Sequence, residues 1–220
     1  MIEVIVGLLI AAAVIGFVVW LISSSNPTDR TIIQAGPTSG KTQKISSLSI
    51  NRSFNQPDGM VFSYAGWLLV NDFTVNYGKK RLIFKKGDCP ALYLDTTSNA
   101  LLVEVQTFGS VESILIPNIP AKKWMHIALV VNQYSVDIYI NGTLRQHHTL
   151  SQLPKQNDEP LTMGSNETGW DGVLSDLTYF MRSLNASEIE EMAKAIPKDD
   201  LYKAPAGPQY FDRSWYIGRI

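Results

Sequence analysis

The stretch KKWMHIALVVNQYSVDIYINGT, residues 122–143, decides the fold. Its second half alternates: Val136, Ile138 and Ile140 share one side of an extended chain, while Asp137 and Tyr139 share the other. Asn141 and Gly142 follow, the two residue types that best tolerate the positive φ angles of a tight hairpin turn. The first half, KKWMHIALVV, is an apolar run of strand length. Strand, turn and strand in succession predict antiparallel β-structure.

The flanking sequence follows the same alternation. MVFSYAGWLLV (60–70), RLIFKK (81–86), ALYLD (91–95), NALLVEVQ (99–106) and GVLSDLTYFM (172–181) are short apolar or alternating runs separated by turn residues. In NALLVEVQ, Leu101, Val103 and Val105 fall on one face and Leu102, Glu104 and Gln106 on the other. Roughly eleven such strands suit two stacked sheets, because a single open sheet of that size leaves an apolar face wet. One short C-terminal helix is predicted after Asn185, which can cap it. Glu188 completes a capping box, Leu184 and Ile189 form a hydrophobic staple, and Ile189, Met192, Ala193 and Ile196 make an apolar stripe. Glu188, Glu190 and Glu191 suit the positive end of the helix dipole and read as a solvated face.

The whole chain has 220 residues, enough for one full domain plus accessory segments. With 19 basic and 20 acidic side chains it carries no electrostatic footprint for nucleic acid. A single cysteine, Cys89, excludes an intrachain disulfide and fits a reducing compartment. Residues 4–22, VIVGLLIAAAVIGFVVWLI, are uncharged and as a helix cover about 28 Å, the thickness of a bilayer core. Only Glu3 precedes the run where a signal peptide needs basic residues, so it reads as a retained single-pass anchor over residues 1–23. Val4, Leu8, Ile15 and Trp20 are its anchor residues, with Trp20 at the interface. Arg30, Lys41 and Lys44 lie downstream, which places the globular part on the cytoplasm-equivalent side. Sequons at Asn51, Asn141, Asn166 and Asn185 matter only for the opposite orientation.

Residues 24–44 read as a polar linker. They contain AGPTSGKT (35–42), one glycine short of a phosphate-binding loop, but no convincing strand precedes it and no amphipathic helix follows. The sandwich is assigned to residues 45–196. Residues 197–220 form a tail rich in proline and aromatics, in which Tyr210, Phe211, Trp215 and Tyr216 are candidate docking residues. It can fold back on its own sandwich or insert into a neighbouring protein.

Residues 119–150, together with GWDGVLSDLTYFMRSLNASEIEEM (169–192), FSYAGWLLVNDF (62–73) and RLIFKKGDCPALYLD (81–95), resemble the laminin-G-like, concanavalin A-like lectin/glucanase superfamily. The resemblance implies a jelly-roll sandwich. The chain is also similar to versions encoded by large icosahedral DNA viruses, where such domains occur in virion-associated proteins. Glucanases of the superfamily carry a carboxylate set spaced E-x-D-x-x-E, which is missing here, so no catalytic residue, cofactor or metal is assigned. Glu104 stands alone on its strand, and Asp72, Asp95 and Asp171 are turn-adjacent singles expected to cap amides. His126 is expected to be packed and hydrogen-bonded. His147 and His148 are expected on opposite strand faces, and Trp67, Trp124 and Trp170 in the core.

These readings favour a non-enzymatic structural protein whose sandwich and tail attach a lipid bilayer to other capsid-like proteins, as a minor capsid protein at a virion inner membrane. The alternative is a membrane-displayed lectin-like receptor whose partners are glycans.

Overall fold

The computed structural model describes residues 14–16, 29–50, 52–53 and 60–197, in two contact units, Met1–Arg30 and Thr31–Ile220. Among the described residues the strands are β1 (Arg30–Gln34), β2 (Thr38–Ser39), β3 (Lys44–Ile45), β4 (Val61–Asp72), β5 (Arg81–Lys86), β6 (Ala91–Leu94), β7 (Ala100–Gln106), β8 (Val111–Pro117), β9 (Trp124–Asn132), β10 (Ser135–Ile140), β11 (Thr143–Thr149), β12 (Leu161–Met163) and β13 (Asp171–Phe180). Helix α1 (Ala186–Met192) follows them. A seven-stranded sheet runs β1-β13-β4-β9-β10-β11, with β2 also on β13, and a six-stranded sheet runs β3-β12-β5-β6-β7-β8. The chain is an all-β antiparallel sandwich with one short C-terminal helix.

The hairpin read from the sequence is present in register. Val136 pairs with Val131 and Ile138 with Leu129 between β9 and β10, and Asn141 and Gly142 adopt φ of 49° and 82° at the turn from β10 to β11, where Ile140 pairs with Thr143. Alternation sorts the side chains as expected. Leu101, Val103 and Val105 are buried, and so are Val136 and Ile138, each where its strand faces the opposite sheet. Helix α1 begins as the capping box requires: Asn185 Oδ1 accepts from the Glu188 amide and Glu188 Oε2 from the Asn185 amide, both at 2.9 Å. Arg182 adds a fork of two hydrogen bonds to the Glu188 carboxylate, at 2.8 and 2.6 Å.

The open edges of the two sheets meet at β8 and β11. Glu112 Oε1 accepts from the Ser151 amide and hydroxyl at 2.8 and 2.6 Å, and Oε2 lies 2.9 Å from His148 Nε2. Partial burial pushes the Glu112 carboxyl up, but these hydrogen bonds outweigh it and hold the group below its ordinary range. His147 lies on the opposite face, 2.5 Å from Asp137, so the two adjacent imidazoles do not converge.

The linker reading of residues 24–44 is corrected where the structure describes them. β1, β2 and the start of β3 lie within that range and belong to the sheets, with Ile33 buried in the core. The phosphate-loop-like octet has a packing role. Gly40 donates to the Gly172 carbonyl at 3.0 Å, its own carbonyl accepts from Trp170 at 3.3 Å, and its Cα lies against the buried Trp170 indole. Lys41, the residue that would reach a phosphate, forms an ion pair with Asp171 at 2.9 Å. Of the anchor, only Val14, Ile15 and Gly16 are described. They are helical, and Ile15 is exposed. Val4, Leu8 and Trp20 lie outside the described residues, as do Tyr210, Phe211, Trp215 and Tyr216. Among the described residues no helix is long and apolar enough to cross a membrane.

A methyl group on Gly40 would sit 2.3 Å from a Trp170 ring carbon. Gly40→Ala is therefore expected to lower the unfolding free energy by about 1–3 kcal/mol in urea titrations, and Lys41→Ala by less than about 1 kcal/mol. The reverse ranking would contradict the packing role.

Candidate functional site: a cleft on the outer face of the seven-stranded sheet

The middle strand β4 is apolar on both sides. Phe62, Tyr64, Leu68 and Val70 face the six-stranded sheet, while Ala65 faces outward into a second cluster with Ala128, Val130, Phe180, Leu184 and Ile189. Ala65 and Ala128 are direct cross-strand partners, and their small side chains let α1 approach the sheet closely enough to bury Ile189 completely. Two residues further along the same face, Trp67 and His126 are again direct partners. Their rings meet edge-on with centroids 5.2 Å apart.

Beside this pair lies a cleft of about 220 Å³, bordered by Trp67, His126, Asp176, Thr178 and the α1-end residues Met192 and Ala195. His126 is held from its backbone: its amide donates to Asn141 Oδ1 and its carbonyl accepts from the Asn141 amide, both at 2.9 Å. His126 is 2% exposed, and its buried Nδ1 has no hydrogen-bonding protein group. The expectation of a hydrogen-bonded imidazole is thus corrected: the backbone is tied and the ring nitrogen is orphaned. Burial pushes the His126 pKa down to about 4, so the ring is neutral at physiological pH.

Asp176 reaches the cleft because the β13–β4 register slips between Ser175 and Thr178. Its φ is 53°, and Gly66 lies opposite the slip, where a Cβ would come within 3.2 Å of the Leu177 Cα. The exposed carboxylate accepts from the Gly36 amide at 3.1 Å and the Ser175 hydroxyl at 2.8 Å, and no cation among the described residues pairs with it. Thr178 donates its hydroxyl to the Asp176 carbonyl at 3.3 Å.

The other carboxylates are occupied elsewhere. Glu104 pairs with Lys80 at 2.5 Å, and Asp72 accepts from Thr74. Asp95 accepts from Ser98 and Thr97, and Asp171 meets Lys41 instead of capping an amide. Trp67 and Trp170 are buried, whereas Trp124 is half-buried. Three sequon asparagines have backbone duties: the side-chain oxygens of Asn141, Asn166 and Asn185 accept from the amides of His126, Gln43 and Glu188. Asn51 lies outside the described residues. Among the described residues no cluster of His, Cys, Asp or Glu could hold a metal ion.

The family model described as "Concanavalin A-like lectin/glucanases superfamily", of laminin G type, matches residues 41–190. The chain belongs to this superfamily. Solved structures with the same fold include the botulinum neurotoxin serotype D ligand binding domain in complex with N-acetylneuraminic acid (14% identity, TM-score 0.60, 75% of this chain and 45% of that one). Two others are the binding domain of Paraclostridial Mosquitocidal Protein 1 (18%, 0.59, 76% and 45%) and the binding domain of botulinum neurotoxin DC in complex with rat synaptotagmin II (19%, 0.56, 74% and 42%). The chain spans less than half the length of each, and at these identities the likeness is one of fold. No curated protein sequence matches the chain.

Sequence reasoning read Trp67 as a core aromatic and His126 as a packed imidazole, and assigned none of Asp176, Thr178, Met192 and Ala195 to a site. A signal was present in VLSDLTYF (173–180), where apolar positions fall on both parities, as a strand with an extra residue requires.

The orphaned imidazole sets a pH dependence. A buried histidine whose folded pKa lies below its unfolded value of 6.5 binds fewer protons in the folded state, so stability is full above pH 6.5 and falls as pH drops toward 4. Unfolding free energy is expected to drop by ~2 kcal/mol between pH 7 and pH 5. His126→Phe should flatten that slope, and equal slopes in the two proteins would contradict the assignment.

Proposed function

We propose that the protein is a non-enzymatic, lectin-like binding module held at a membrane by residues 4–22, with the Trp67–His126 cleft as its recognition site. The carrying observation is a cleft in which a buried Trp67–His126 pair lies beside the exposed carboxylate of Asp176, with which no cation among the described residues pairs. A sugar edge matches that set: its hydroxyls bond to the exposed Asp176 carboxylate and to Thr178, above a cleft floor made by the buried Trp67 and His126. Hydrolysis of a glycosidic bond needs two carboxyl groups flanking that bond, and Asp176 is the one carboxylate among the described residues bordering the cleft. Solved domains of similar fold, one holding N-acetylneuraminic acid and one synaptotagmin, support a binding role.

A second reading is favoured by the tail composition and by the basic residues downstream of the anchor, Arg30, Lys41 and Lys44. In that reading the sandwich lies on the cytoplasm-equivalent side of a virion inner membrane, and sandwich and tail join the bilayer to a protein layer as a minor capsid protein.

Glycan-array binding of the full chain in nanodiscs separates the two. The expected result is retention of a restricted set of glycans, weakened at least tenfold by Asp176→Asn or Thr178→Ala. An empty array, with in-membrane crosslinking that captures shell subunits, would overturn the lectin reading in favour of the second.

A further inference from the structure

We propose that the cleft selects glycans bearing a free amino group, an amino sugar whose ammonium is held by the Asp176 carboxylate and the Thr178 hydroxyl oxygen, and turns away sialylated and sulfated glycans. The inference deepens the lectin reading and rests on it.

Hydrogen-bond polarity is the first argument. Among the side chains bordering the cleft, Asp176 is exposed and Thr178 half-buried, while Trp67 and His126 form a buried floor. An ionised carboxylate only accepts. The Thr178 hydroxyl commits its one proton to the Asp176 carbonyl at 3.3 Å and keeps only lone pairs for a ligand. Both polar side chains open to a ligand are therefore acceptors, and their complement is a group made of donors alone. An ammonium has three donors and no acceptor, whereas a carboxylate or sulfate has acceptors only.

Charge points the same way. No cation among the described residues pairs with Asp176. Residues 176–194 supply Asp176, Thr178 and Met192 to the cleft, and they carry the acids Asp176, Glu188, Glu190 and Glu191 against the bases Arg182 and Lys194. Both bases are engaged already, Arg182 with Glu188 at 2.8 and 2.6 Å and Lys194 with Glu191 at 3.0 Å. Burial keeps His126 neutral, so the floor adds no positive charge. An anionic sugar meets repulsion here, and an ammonium supplies the counter-ion.

The carboxylate is also oriented before any ligand arrives. The register slip in β13 and the φ of 53° set its backbone, the Gly36 amide ties Oδ1 at 3.1 Å, and the Ser175 hydroxyl ties Oδ2 at 2.8 Å. A carboxylate offers about four acceptor sites, so two remain for the ligand. A charge-assisted hydrogen bond is about twice as strong as a neutral one, which sets the scale of the preference.

The test is calorimetric titration of the full chain in phosphatidylcholine nanodiscs with a glucosamine tetramer, its fully N-acetylated counterpart and sialyllactose. The free amine is expected to bind about tenfold more tightly than the N-acetylated tetramer, with the advantage shrinking as salt rises, and sialyllactose is expected to be the weakest. Asp176→Asn should abolish the advantage. Asparagine tolerates the same positive φ, so this variant keeps the backbone and loses only the charge. Glu191→Gln, which removes a negative charge outside the cleft lining, should leave the advantage intact. Equal binding of the two tetramers, tightest binding of sialyllactose, or an advantage that survives Asp176→Asn would overturn the proposal. So would an equal loss in Glu191→Gln, which would assign the effect to general surface charge. Tetramers that bind alike sink this inference and leave the lectin reading standing, whereas a chain that retains no glycan at all sinks the reading and the inference with it.

Discussion

The structure depends on covering both faces of β4. Most antiparallel sheets bury one face and wet the other, but the first ten residues of β4 are buried regardless of parity. The six-stranded sheet covers one side through Phe62, Tyr64, Leu68 and Val70. On the other side a seven-residue helix is too short to cover the whole face, and it sits where Ala65 and Ala128 leave room for Ile189. Where the small residues give way to Trp67 and His126, the helix ends and the cleft begins. Fold and site are thus consequences of one step in side-chain size along a single strand pair.

That step also explains the chemistry of the cleft. A large aromatic and an imidazole placed next to a helix end are buried by their surroundings, and burial keeps His126 neutral and leaves Nδ1 unpaired. The register slip in β13 brings a carboxylate to the same place, and the close approach of Leu177 to Gly66 accommodates it. Nothing in this arrangement pairs two carboxyl groups across a bond. It places one exposed carboxylate beside a buried aromatic pair.

The sandwich was legible because its long strands alternate, and α1 was legible because Asn185 and Glu188 spell a capping box. The three N-terminal strands were not. Two of them are two residues long, too short for any period, and they pair through backbone groups that a serine-rich, glycine-containing sequence conceals. Gly40 looked like part of a phosphate loop because a glycine needed for close packing against Trp170 reads the same as one needed for close approach of a phosphate. The cleft was only half legible. Trp67 and His126 stand out by residue type, but their meeting with Asp176 depends on cross-strand register and a bulge, which are set by tertiary pairing.

The most direct measurement is the unfolding free energy of Ile189→Ala beside that of its exposed neighbour, Glu190→Ala. If α1 seals the outer face of β4, the first should lose about 2–5 kcal/mol as a buried aliphatic truncation and the second less than about 0.5 kcal/mol. Similar small losses for both would mean that the helix merely rests on the sheet, and the cleft would lose the wall that defines it.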